Sequence, residues 1–287
     1  MKISPFTPLH FPEAANGSDG LPSRYLQTWA TTDTILIELL ASGTDTMPTG
    51  TLNDAHTGAA LSVIAFSDWS MNASERLWFA ELSGLSAGHY TVTVNGATCD
   101  EFRVTDDATA LAKTTLIQYR FRDNRQRDDV VSVINGVPYY FSWRAPGGFK
   151  DGGWQFGVSN EQFTTQREDI VELYANDYTL KTFTLGGSFG VPVWCAELLN
   201  RLLTCSYVFF DGHRYTRSDS ETPQINTLVE GLDSFVFTQL LRKAQRIDPT
   251  FEPPVRAPLR MVGDLDAKIY RGVYDSEEEE NINRLIK

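Results

Sequence analysis

Cys99, Cys195 and Cys205 are the residues best able to serve as nucleophiles or soft metal ligands, with His213 not far beyond the last of them. Tetrahedral zinc takes four donors at short, regular spacings, and three uneven cysteines with one histidine do not provide them. Glycoside hydrolysis takes two carboxyl groups at a set separation, for which the candidates are Glu168 and Asp169, or Glu197. Adjacent carboxylates are common by chance, so this hydrolase reading is the weakest. His89 has no second histidine or carboxylate in register and reads as structural. No catalytic signature and no cofactor site emerges.

Binding chemistry is better represented. Arg120, Arg122, Arg125 and Arg127 form the densest basic patch, offset by Asp123, Asp128 and Asp129. Arginine makes planar two-point contacts with carboxylates, so this patch reads as salt bridging across an interface rather than phosphate binding. Trp143, Phe149 and Trp154 form the aromatic set that could stack on a sugar ring, yet the same residues fill a sheet core or a subunit contact equally well. The second use is favoured, with Phe149 and Trp154 as interface candidates.

Composition bounds the elements that hold these residues. The 287 residues are 41% hydrophobic and 22% charged, as in a folded globular protein. At about 150 residues per domain the length points to two domains. A formal charge of −12 opposes the phosphates of nucleic acid, so direct nucleic-acid recognition is not expected. Three cysteines cannot all pair, which fits synthesis in a reducing compartment. Pro5, Pro8 and Pro12 interrupt the apolar run an export signal needs, and no stretch approaches the roughly 20 apolar residues of a membrane span. A soluble protein without membrane insertion is expected.

The expected organisation is mainly β with minor α, in four parts. Residues 1–30 form an extended arm whose Phe6, Leu9 and Phe11 need covering by this domain or a neighbour. Residues 31–110 read as an immunoglobulin-like β-sandwich, with strands at 34–40, 61–66 and 77–82, and with 43–58 as loop or weak edge strand. A hairpin turns at Asn95-Gly96, a dipeptide that accepts positive φ. Tyr90, opening that hairpin, has the placement of a tyrosine corner, in which the phenol bonds back to nearby backbone.

Residues 111–250 read as an α+β domain. Its first strand begins at Thr114, with Ile117, Tyr119 and Phe121 facing inward. A diglycine-rich loop spans 147–154, and a helix entered near Pro192 packs stripes through Trp194, Leu198 and Leu202 and through Cys195, Leu199 and Leu203. Asp211-Gly212 turns a second hairpin. Residues 251–287 form a proline-rich and acidic arm. Its bland reading is a solvated tail; its sharper one inserts Ile269, Tyr270, Val273 and Tyr274 into a partner.

Residues 178–194, the helix with Asn200-Arg201-Leu202, and residues 208–215 together resemble virion proteins of tailed phages that infect gut Bacteroidetes. The similarity covers about residues 115–240, and an Ig-like module is common in the ring and tail proteins of crAss-like phages. The resemblance implies a non-enzymatic tail or neck component, made in the host cytoplasm and assembled into a cyclic homo-oligomer with other virion proteins. It carries no catalytic residues to transfer. The alternative is a carbohydrate-binding surface module.

Overall fold

Runs of alternating apolar residues, punctuated by Gly, Asn and Asp, commit most of this chain to short antiparallel strands. The computed structural model describes residues 1–12, 25–187, 190–218, 224–227 and 235–244, so the C-terminal arm with Ile269, Tyr270 and Tyr274 lies outside the described residues. Among the described residues the protein is mainly β, with two helices and several sheets.

The first sheet runs β1 (Lys2–Ile3), β3 (Ile35–Ser42), β7 (Glu75–Leu82), β6 (Ser67–Ser70). The second runs β2 (Gln27–Ala30), β10 (Phe102–Thr105), β8 (Gly88–Val94), β4 (Gly50–Asp54), β5 (Ala60–Val63), with β9 (Ala97–Thr98) folded back on β8. Ile37 and Leu39 of the first sheet and Trp29, Val92 and Phe102 of the second are all buried in one apolar cluster. The Asn95-Gly96 turn forms as expected, with φ of 49° and 85°. Tyr90 Oη donates to the Ser86 carbonyl at 2.9 Å, the backbone bond read from its position.

Two sequence expectations are corrected here. The stretch 43–58 contains β4, which is an interior strand pairing both β8 and β5. The stretch 61–66 is divided: β5 ends at Val63, exposed with Leu61, while Ile64 and Phe66 turn into the core.

The segment expected at 1–30 as an arm lies on this chain, the first of the two coverings open to it, and its described parts join the sheets. Lys2 and Ile3 pair with Leu40 and Leu39, and β2 runs parallel to β10. Phe6 and Leu9 are buried in this chain, held by bonds from Tyr119 Oη to the Phe6 carbonyl (2.6 Å), Arg201 Nη1 to the Pro5 carbonyl (2.7 Å) and Gln27 Nε2 to the Pro8 carbonyl (2.8 Å). Proline carbonyls without neighbouring N–H donors depend on such side chains for partners.

A short helix, α1 (Ala108–Leu111), capped by the Asp107 carboxylate, leads into β11 (Thr114–Arg120). A small hairpin of β12 (Val133–Ile134) and β13 (Val137–Pro138) precedes the two longest strands, β14 (Phe141–Thr164) and β15 (Ile170–Leu185). The helix α2 (Val193–Leu202), β16 (Tyr207–Phe210), β17 (His213–Arg217), β18 (Gln224–Thr227) and β19 (Phe235–Lys243) follow. Neighbouring pairs run β15-β14-β11-β16-β17-β19, and β19 pairs back onto β15. That last pairing closes six antiparallel strands into a barrel, with β18 continuing from β19, and closure removes sheet edges. In place of an α+β layer there is a β-barrel with one packed helix.

The helix buries Cys195, Leu198, Leu199 and Leu202 as their spacing predicts, with Pro192 one residue earlier than expected, at the cap. Ile117, Tyr119 and Phe121 are inward as expected, but Gln118 is buried too, since Tyr140 and Phe209 form a small second cluster on the opposite side. The two halves share one core. Phe79 meets Tyr139 edge-on at 5.5 Å, and Arg144 grips Asp33 through two bonds of 2.6 and 2.7 Å.

Candidate functional site: an apolar ribbon beyond the barrel

The residues suited to catalysis are not brought together. Cys99, Cys195 and Cys205 are buried free thiols. Burial pushes Cys99 up to about 12 and the other two higher than an ordinary thiol, the reverse of an activated nucleophile. Glu168 and Asp169 form the exposed turn joining β14 to β15, where Thr165 N bonds the Asp169 carbonyl at 2.8 Å, while Glu197 is exposed on α2. His89 Nδ1 lies 2.6 Å from Glu101 Oε1, and its ring tilts on His56. Among the described residues, no group of three or more His, Cys, Asp or Glu is placed to hold a metal ion.

The arginine patch divides. Arg120 lies between the rings of Tyr140 and Tyr207, at 5.0 and 4.6 Å, and Arg127 chelates Asp129 at 2.6 and 2.5 Å while covering the Phe6 ring. Both guanidinium groups are thus engaged within the chain. Arg122 and Arg125 are exposed, Arg125 beside an open cavity of about 470 Å³ that Trp69 and Met71 also line.

The aromatic set divides as well. Trp143 is fully buried in the core, and Phe149 joins Phe183, Phe210 and Tyr215 at centroid distances of 5.3, 5.6 and 4.7 Å. Phe6 and Leu9 are likewise interior, and Phe11 packs partly against the core, so four of the expected interface residues are explained by packing within this chain. Trp154 differs. It is 38% exposed, with Lys181 Nζ 4.1 Å above its ring and Phe156 stacked nearly parallel at 6.4 Å.

Trp154 stands at the base of an exposed apolar feature. The region expected as a loop, 147–154, is instead continuous strand: β14 passes through it with a register shift between Phe149 and Trp154 and carries on, paired with β15, to Thr164. Gly147 makes the passage possible. Its φ is 130°, and a Cβ there would sit against the Thr184 carbonyl oxygen. Beyond it the two strands leave the barrel as a ribbon roughly 30 Å long at about 3.3 Å per residue.

Both faces of the ribbon carry apolar groups. Cross-strand pairs place Trp154, Phe156, Val158 and Ala175 on one face and Phe163, Val171, Tyr174 and Tyr178 on the other. Phe156 is 80% exposed, Val158 58%, Ile170 63% and Leu173 57%. Leu173 is the extra residue at a second register shift, between Glu161 and Gln162. Sequence reasoning passed over this strand although Trp154, Phe156 and Val158 alternate in the period of a strand. The glycines flanking Phe149 masked it.

Set against family models, curated proteins and solved structures, the chain matches none of them.

Proposed function

We propose that this protein is a structural subunit of a phage virion, a tail or neck ring component that joins sibling copies and other virion proteins through protein contacts and catalyses no reaction. In this reading the two sheets of residues 31–110 form an Ig-like module ahead of the barrel, with Tyr90 as its tyrosine corner. The observation that carries the proposal is the ribbon: monomeric proteins rarely leave large apolar side chains clustered in water, and such a cluster marks an interaction surface. Its partners are copies of the chain, arranged with cyclic symmetry, in virions assembled in the host cytoplasm. Native mass spectrometry of the purified full chain tests this. A defined oligomer supports it, and a monomer at tens of micromolar, alone and with candidate virion partners, overturns it.

A second reading rests on the parallel Trp154 and Phe156 rings, which offer an apolar platform for a sugar. Saturable glycan binding by calorimetry, abolished in Trp154→Ala, would favour a carbohydrate-binding module over the ring subunit.

A further inference from the structure

We infer that the ribbon of one copy lies face to face on the ribbon of a second copy running the opposite way, about a two-fold axis that crosses both between Val158 and Asn160. This deepens the assembly reading and rests on it. The face concerned carries Trp154, Phe156, Val158 and Ala175, and the pairing of Thr164 with Ile170 adds Ile170 at the tip. The opposite face is partly covered within the chain at its base. There the Tyr178 ring lies where a Cβ on Gly157 would sit, and Arg242 Cζ stands 4.9 Å over that ring.

The direction of the second ribbon follows from the barrel. Lys181 and Phe183 project on the same side of β15, Phe183 into the core and Lys181 over the Phe149 ring at 5.0 Å. The Trp154 face therefore continues the inner wall of the barrel and looks across its mouth. A second ribbon running the same way would drive its own barrel into this one. Running the opposite way, it brings its tip to the mouth and keeps the two barrels at opposite ends.

The register suits a second copy as the occupant. About this axis Ile170 of one copy lies over Lys181 of the other, beside Trp154, and Val158 lies over Asn160. The carboxylates of this face, Asp177 and Glu172, come over Ala175 and Thr179 of the second copy, so no like charges stand opposite. A two-fold contact requires such a self-complementary patch.

The area is adequate as well. Trp154 and Phe156 are 38% and 80% exposed and contribute about 240 Å², at about 200 Å² for a whole aromatic. Val158 and Ile170, 58% and 63% exposed, add about 120 Å², at roughly 100 Å² for a whole side chain. Two copies then cover about 700 Å² of apolar surface. At the roughly 65% apolar share of homodimer interfaces this corresponds to about 1,100 Å² in all, above the roughly 1,000 Å² that a specific interface takes.

Two measurements on the full chain test this. In native mass spectrometry the parent should have an even copy number, because a two-fold contact pairs copies. Phe156→Glu should at least halve that number, and Phe163→Glu, on the other face, should leave it unchanged, with circular dichroism showing that both variants fold. An odd copy number, or an oligomer that survives Phe156→Glu, overturns the face packing and leaves the assembly reading intact; the face then belongs to a heterologous partner or to residues 245–287. A monomeric parent defeats the assembly reading itself. Second, nitroxide labels are placed at Ser159→Cys or at Arg167→Cys, both exposed positions in a chain whose native cysteines are buried. Opposed ribbons put the two Ser159 labels about 25 Å apart and the two tip labels roughly 45 Å apart, from the sheet spacing and the rise per residue. A tip distance as short as that at Ser159 overturns the opposed arrangement.

Discussion

Asp33 and Arg144 illustrate how single residues join the two halves. Their side chains are 4% and 13% exposed and meet in a two-point ion pair. Removing one partner leaves the other buried and uncompensated, so Asp33→Ala should lower unfolding stability by about 3–5 kcal/mol in a denaturant titration. Two glutamates act in the opposite sense. Burial raises Glu38 well above the usual carboxyl range and Glu81 from 4.5 to about 7, and Oε1 of each has no hydrogen-bond partner among the described residues. A carboxyl raised in the folded state favours folding fully below its unfolded value, and that contribution is lost as pH climbs through the folded value. These two groups therefore pull melting temperature down between about pH 4.5 and 7, against His10, which burial lowers and which acts in the opposite sense, and Glu81→Gln should remove part of that downward pull. The lowered carboxyls, Asp54 and Asp129, act below this window, because their contribution is lost only as pH drops beneath about 3.8.

At the scale of elements, Gly147 controls whether β14 passes from barrel to ribbon. Gly147→Ala adds strain at φ 130° and a collision with backbone that cannot step aside, and should cost more than about 3 kcal/mol by thermal unfolding. Strands with strong local pattern were legible in the residues: β3, β7, β8 and the Asn95-Gly96 turn follow from alternation and turn chemistry, and α2 from its leucine stripe. What escaped was non-local. The strand pairing of Lys2–Ile3, the parallel placement of β2, and the barrel closure through β15 and β19 depend on partners distant in the chain, which no local period encodes. The candidate site was half legible: Trp154 stood out, but Phe156 and Val158 were lost behind glycines that allow a bulged strand as readily as a loop, and Ile170 and Leu173 sit in a strand with no regular alternation of its own.

For the whole molecule, charge and apolar surface pull assembly in opposite directions. The ribbon carries Glu161, Glu168, Asp169, Glu172 and Asp177 against Arg167 alone. In the proposed assembly, ribbons of two copies would therefore repel at long range while their apolar faces attract at contact. Raising salt from about 0.01 to 0.15 M shortens the screening length from roughly 30 to 8 Å, so sedimentation should show a larger oligomeric fraction at the higher salt. A basic heterologous partner would give the opposite trend.

Phe6 occupies the junction of both halves, edge-on to Phe121 at 5.3 Å and tilted on Phe141 at 6.4 Å. Truncating it to alanine should cost about 3–5 kcal/mol. Its position also sets an order of events during synthesis. Pro5 is made 196 residues before Arg201, which bonds its carbonyl. Contacts so far apart are made slowly. The segment around Phe6 must wait, with its aromatic ring unsheltered, until the barrel exists to receive it, so the nascent protein is most vulnerable to clumping before Phe235–Lys243 is translated.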